Sequence, residues 1–253
     1  MPAHPSYPNP TIHEALCEIY FEPVASKPAQ TAAFIRAVQS DYSEVEPVVD
    51  FGVQLQFGPS SLGQPPPQVR PRLRFRHASR PLYLQLANGL LTVHLLPKYP
   101  GWDEMKSHIL DAWADVHRTF GPGTAQRGIF LRYINRIPRT KARERPSEWF
   151  GAGPYIPQAI LDSEPGFALQ VQAQHAQRVM IALGDEPGAP PNDHGAFFLD
   201  IGLGEQFFSA TAVADPGLEG LTAHLDRLHE TAWEIFATAK TSRLDHLLAG
   251  EPQ

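Results

Sequence analysis

Four arginines, Arg70, Arg72, Arg74 and Arg76, alternate with Pro71, Leu73 and Phe75. A strand turns successive side chains to opposite faces, so this spacing puts all four guanidinium groups on one side of a sheet. Two more cations, Arg132 and Arg136, sit four apart in the strand-like stretch 128–138, Gly-Ile-Phe-Leu-Arg-Tyr-Ile-Asn-Arg-Ile-Pro. The residues expected to share the outward face with them are Gln54, Gln56, Tyr83, Gln85, Gln170, Gln172, Gln174 and Arg178. Guanidinium forks, amides and a phenol ring suit phosphates, carboxylates and nucleotide edges. The chemistry this predicts is recognition of an acidic partner: a nucleic acid, a nucleotide-like ligand or an acidic protein. The plainer reading is that arginines on an open antiparallel sheet keep a solvated face soluble and block stray strand pairing. Their long stems also cover apolar surface.

The motifs of known catalytic sites are missing from the sequence. It contains no glycine-rich phosphate loop, no His-Glu-x-x-His and no Gly-x-Ser-x-Gly. Gly202-Leu203-Gly204 lacks both a third glycine and a strand–turn–helix setting, so it is no dinucleotide fingerprint. His224 and His229 are five apart on a helical stretch and do not share a face, and His108 and His117 are nine apart. These spacings give no metal site, and no cofactor is expected. Asp200 is expected on the polar sheet face, where an ion pair with an arginine is the simpler role than general base. Cys17 lies on the apolar side of its strand and is expected to be inert. A site assembled from distant residues leaves no spacing, so an enzyme with a dispersed active site stays open as an alternative.

The bulk composition narrows the partners. Across 253 residues the net charge is −6, with 42% hydrophobic and 19% charged residues. That balance gives no general attraction to polyanions, so any such binding must be local. The single cysteine excludes an internal disulfide. No apolar run reaches the ~20 residues of a membrane span. The proline-rich start has no basic or apolar region of the kind a signal peptide carries. A soluble cytoplasmic protein without a membrane partner is expected, and the composition admits a homodimer.

The elements that must position the arginines follow from periodicity. Residues 15–21 alternate as a strand. Pro28 opens a helix with Phe34, Ile35, Val38 and Tyr42 on its apolar side. A second strand is predicted at 51–57, a loop at 58–68, and three strands at 70–77, 81–87 and 90–96, with Asn88-Gly89 as a hairpin turn. A helix from Pro100-Gly101-Trp102 carries Ile109, Trp113, Val116 and Phe120. The order then restarts: a strand at 129–137, a short or broken helix within 146–161, and strands at 167–174, 177–183, 196–203 and 206–213. A long helix from Asp215-Pro216 carries Leu218, Leu221, Leu225, Leu228 and Phe236.

This is a strand–helix–four-strand–helix unit written twice, over residues 1–123 and 124–253, together one structural domain. Residues 51–56 align with 167–172, and Pro100-Gly101 with Pro216-Gly217, at one offset. Such an α+β duplication resembles the saddle of the TATA-binding-protein fold, which implies one curved antiparallel sheet with helices on one face. The first strands of the two units would then be neighbours, with Glu18, Tyr20 and Glu22 facing outward beside Arg132 and Arg136, and opposite charges across the pair.

Three sequence features also resemble a sporadically distributed bacterial family of similar length with no established activity. They are Tyr7-Pro8-Asn9-Pro10-x-x-x-Glu14-Ala15, Tyr99-Pro100-Gly101-Trp102 and Leu131-Arg132-Tyr133-Ile134-Asn135-Arg136-Ile137. The resemblance implies no catalytic residue. The family's patchy distribution implies an association with mobile or defence genes. The readings expected are therefore a non-enzymatic binding protein with an Arg/Gln-lined face, or an interaction or oligomerisation subunit of a defence or toxin–antitoxin type system.

Overall fold

The computed structural model describes residues 4–22, 28–52, 68–121, 124–141, 143–164, 166–186, 194–207 and 217–251. The first half runs β1 (Ile12–Phe21), α1 (Pro28–Val38), β2 (Tyr42–Gly52), β3 (Gln68–His77), β4 (Leu82–Ala87), β5 (Leu90–Leu95) and α2 (Trp102–Phe120). The second runs β6 (Gln126–Pro138), a 3-10 turn (Pro146–Glu148), α3 (Gln158–Leu161), β7 (Ala168–Gln174), β8 (Arg178–Glu186), β9 (Ala196–Gln206), α4 (Gly217–Ala239) and α5 (Ser242–Leu248). The nine strands form one sheet in the order β2-β3-β4-β5-β1-β6-β9-β8-β7. Every neighbouring pair is antiparallel. The fold is α+β with one large antiparallel sheet, as the sequence predicts.

Alternation decides which side of each strand is buried. Ala15, Cys17, Ile19 and Phe21 of β1, Leu91, Val93 and Leu95 of β5, and Ile129, Leu131 and Ile137 of β6 turn to the helix side and are buried. On them pack Met105, Ile109, Trp113 and Val116 of α2 and Leu221, Leu225 and Leu228 of α4, one contiguous core. The stripes repeat every three or four residues, as a helix with one apolar face requires. At the outer end of the first half, Phe34 of α1 meets Phe75 of β3 edge to face at 5.3 Å. Burial pushes the Cys17 thiol well above its usual pKa, in line with an inert cysteine.

Several expectations need correction. The second strand begins at Tyr42 rather than at residue 51, so Tyr42 belongs to β2 and not to the apolar side of α1. Its sequence, Tyr-Ser-Glu-Val-Glu-Pro-Val-Val-Asp-Phe-Gly, hides a strand behind two glutamates and a proline. An edge strand tolerates both, because the missing N–H of Pro47 can face outward and charge there blocks pairing. Residues 53–57, with Gln54 and Gln56, lie outside the described residues. So does most of the strand expected at 206–213, and β9 runs on to Gln206 instead. Leu218 is 50% exposed and does not join the apolar stripe of α4. Among the described residues, no helix is long and apolar enough to cross a membrane.

The first strands of the two halves are neighbours, β1 against β6. Counting outward from that centre, β7 holds the place of β3. Of the residues with which its sequence aligns, Phe51 and Gly52 lie in β2 instead. The register also differs from simple charge opposition. Arg132 stands opposite Leu16 and Glu18 opposite Phe130, so Arg132 meets Glu14 and Glu18 only on the diagonals.

Candidate ligand site on the open sheet face

The face away from the helices is built from the other parity of each strand. Beside the central strand β1 lies β5, Leu90-Leu-Thr-Val-His-Leu95, which is buried on both sides. Its two polar residues, Thr92 and His94, are two apart and so share the open face. Thr92 is cross-strand from Gln85 of β4 and Glu18 of β1, and His94 from Tyr83 and Leu16.

Burial here is unusual for polar groups. Thr92 is 0% and His94 9% exposed, and Gln85 and Leu16 are buried beside them. Thr92 Oγ1 and His94 Nε2 are buried without a hydrogen-bond partner. Buried polar atoms are paired in the great majority of cases, and an orphan costs about 1–3 kcal/mol. Two such atoms on neighbouring side chains of one face are therefore candidates for ligand contact.

The other nitrogen of His94 is fixed. Nδ1 lies 2.6 Å from Glu14 Oε1, and the Tyr83 hydroxyl reaches the same oxygen at 3.4 Å. Hydrogen bonding from His94, and its proximity as a charge, hold the Glu14 carboxyl below its usual pKa against the opposing effect of burial. An ionised carboxylate only accepts, so Nδ1 carries a proton, and in the neutral form of the ring Nε2 is then an acceptor. The ring stacks on Tyr83, centroids 4.2 Å apart and 15° between planes. The Arg74 guanidinium caps the other side of this stack, 5.2 Å from the Tyr83 centroid.

The arginines flank this centre on both sides. On β3, Arg72 donates to Gln85 Oε1 at 2.9 Å, while Arg74 pairs with Glu46 at 3.2 Å and Arg76 with Glu44 at 3.5 Å. The backbone of Arg70 stands opposite Asp50. The acids on β2 thus answer the arginine row, and sequence reading missed them because β2 itself was misplaced. On β6, Arg132 holds Asp200 with two bonds, Nε to Oδ1 at 2.8 Å and Nη2 to Oδ2. That bond, with the nearby charges of Asp200, Glu14 and Glu18, raises the Arg132 pKa further. The expected partnership of Asp200 with a sheet-face arginine is met. Arg136 pairs with Glu186 at 2.8 Å.

The remaining sequence candidates are spread rather than gathered. Gln170, Gln172 and Gln174 are exposed on β7, at the far edge of the sheet, with Arg178 reaching Gln172 at 3.5 Å. Four strands stand between β7 and β5, so these amides do not join the central group. The structure therefore brings together Arg72, Arg74, Tyr83, Gln85 and Arg132 around residues that were not singled out: Glu14, Thr92 and His94. Their signal was present in the sequence, since Thr92 and His94 are the only polar residues of an otherwise aliphatic strand.

The histidines on the helices have local partners. His224 and Arg227 both bond Glu205, and Gln177 donates to it at 2.9 Å. Burial alone would raise Glu205, but these bonds hold its pKa low. His108 shares Arg80 with Glu104. Among the described residues, no cluster of His, Cys, Asp or Glu could hold a metal ion. Compared with known proteins, the chain matches no family model and no curated protein sequence.

Proposed function

We propose that this is a binding protein that takes a compact acidic ligand, nucleotide-like in size, over β4, β5, β1 and β6 of the open sheet face. The observation that carries this reading is the pair of buried, unpartnered polar atoms, Thr92 Oγ1 and His94 Nε2, between two arginine-bearing strands. Strands lie ~4.8 Å apart, so β3 and β6 are each roughly 10 Å from β5. One small molecule can reach from the centre to either flank. A ligand that offers a donor to His94 Nε2 and an acidic group to Arg72 or Arg132 would satisfy both.

Local charge favours a compact ligand over a polynucleotide. Arg74, Arg76, Arg132 and Arg136 each have a carboxylate within reach. A polyanion gains affinity by neutralising a run of phosphates with cations that lack such partners. The test is calorimetric titration with nucleoside mono-, di- and triphosphates and with inorganic phosphate. Labelled single- and double-stranded oligonucleotides at about 50 and 200 mM salt run beside it. The expected result is nucleotide binding that Thr92→Val and His94→Ala each weaken at least tenfold. Salt-sensitive oligonucleotide binding alone would move the reading to nucleic acid. Absence of any binding would discard the acidic-ligand reading in favour of a protein-interaction subunit.

A second reading, an enzyme, rests on the Glu14–His94 pair. A carboxylate on Nδ1 fixes the tautomer and leaves Nε2 as a base, the arrangement general-base catalysis uses. Chemical turnover of a bound ligand, lost in Glu14→Gln with binding retained, would establish it.

The same chain supports an internal duplication with TATA-binding-protein-like topology. What speaks for it is the adjacency of β1 and β6 and the outward order β5-β4-β3 on one side and β9-β8-β7 on the other. A further support is that α2 and α4 each follow a half-sheet.

A further inference from the structure

The two edges of the sheet are built differently. β2 carries Pro47, Glu44 and Glu46 and a register shift between Tyr42 and Glu44, all devices that discourage another strand from pairing. β7, Ala168-Leu-Gln-Val-Gln-Ala-Gln174, has none of them: it has no charge, no proline, and an unbroken register against β8.

The hydrogen-bond parity of β7 says which of its backbone groups face out. Phe167 O accepts from Asp185 N at 3.3 Å, and His175 N donates to Gln177 O at 2.9 Å. Residues 167 and 175 therefore belong to the set that bonds inward, and Leu169, Val171 and Ala173 belong with them. The N–H and C=O groups of Ala168, Gln170, Gln172 and Gln174 point outward. Among the described residues no strand pairs with that edge.

A second deficit lies on the same strand. In the first half, α1 covers the outer strands on the helix side. Among the described residues between β6 and β7, the helical elements are the 3-10 turn and the four-residue α3 alone. Leu169, Val171 and Ala173 turn to that side and pack at the margin of the core, only partly buried.

We propose that two copies of this chain pair through β7, antiparallel, with the two-fold axis at Val171. The centre of the strand, Gln170-Val171-Gln172, reads the same in both directions, and this self-complementarity selects a second copy over an unrelated partner. Gln170 of one copy then faces Gln172 of the other, and Leu169 faces Ala173. The outward groups of Gln170 and Gln172 fall in hydrogen-bonded pairs, and Val171 meets its twin in a non-hydrogen-bonded pair, where side chains approach closest. The apolar stripe of each copy extends the other's. Because the guarded β2 edge cannot repeat the contact, the assembly closes as a dimer and does not grow into a fibre. The inference is independent of the ligand site, which lies at the sheet centre.

Sedimentation equilibrium at about 10–100 μM protein tests it. The expected mass is twice the 28.0 kDa of the chain. Gln172→Pro removes only an outward N–H and should give the single-chain mass with an unchanged circular dichroism spectrum. Should that variant fail to fold, the Gln170→Lys, Gln172→Lys pair places like charges across the axis and should give the same loss. A wild-type protein that is monomeric over this range, or a folded edge variant that stays dimeric, overturns the proposal.

Discussion

The ring of Phe130 on β6 lies over Gly202 on β9, so close that a methyl group at Gly202 would sit 2.5 Å from the ring Cζ. Gly204, directly opposite Phe130, would place one 3.0 Å from Cδ2. These two glycines, which read in sequence as a failed nucleotide-binding fingerprint, clear a bed for an aromatic ring on the sheet face. Gly202→Ala should therefore cost about 1–3 kcal/mol, the usual penalty of overpacking. Adding Phe130→Ala should bring the double variant below the sum of the singles. Urea unfolding of the four proteins measures this, and strict additivity would mean that the ring moves aside.

Arg132 and Asp200 form a partly exposed, two-point pair. Side-chain exposures of 36% and 18% moderate its worth. A double-mutant cycle of Arg132→Ala and Asp200→Ala should give a coupling of about 1 kcal/mol. A coupling near zero would leave Arg132 equally available to a bound anion.

Glu144 is 1% exposed at its side chain and depends on Arg243. Burial alone would raise its pKa, but Thr140, through side chain and backbone, and Arg243 hold it low. The guanidinium also lies 4.3 Å from the Trp149 ring centroid. Arg243→Ala strands a buried carboxylate and should destabilise by about 3 kcal/mol. The further change Glu144→Gln should recover part of that loss. Thermal unfolding at pH 7 reads both.

His229, on α4, is partly buried against α2. It stacks on Trp102 at 4.3 Å and sits 2.9 Å from the Tyr133 hydroxyl. Burial first, then the charge of His4, lowers its pKa to about 4, with Lys106 adding to the effect and Asp226 opposing it. The unfolded chain, with a pKa near 6.5, binds the proton more readily than the folded one. Stability from this residue is whole above pH 6.5 and is lost as pH falls toward 4, by up to about 3 kcal/mol. His229→Gln should flatten the change in urea midpoint between pH 7 and pH 4.5. An unchanged slope would assign the acid sensitivity to the carboxylates.

Thr92→Val removes the orphaned hydroxyl while keeping the shape of the side chain. Its stability should be unchanged or higher, since an apolar isostere avoids the cost of an unmet hydrogen bond. A loss above about 1 kcal/mol would show that the hydroxyl is satisfied in solution and serves structure.

Most of the fold was legible because alternation and 3.6-residue stripes survive in strands and helices with one clean apolar face. β1, β3, β6, α2 and the Asn88-Gly89 hairpin are of this kind. β2 was missed where the edge position overrides propensity: Glu44, Glu46 and Pro47 read as loop but serve an outer strand. The ligand site was half legible. Alternating arginines mark a face from sequence alone, but the acids that answer them come from another strand. The burial of Thr92 and His94 is decided by the strands that flank β5, β4 and β1, whose pairing no local pattern announces. The pairing of Arg132 with Asp200 rather than Glu18 turns on a register that is fixed only when β9 is in place.

The neighbours of β1 are made at different times. β5 ends at Leu95, whereas β6 begins only at Gln126. As the chain leaves the ribosome, five strands and α2 can already assemble while the other side of β1 is still a row of bare backbone groups. Cys17, Ile19 and Phe21 are then covered from one half alone. The second half is thus recruited onto a waiting template, and a pause in synthesis before residue 126 would prolong the interval in which a foreign strand could take its place.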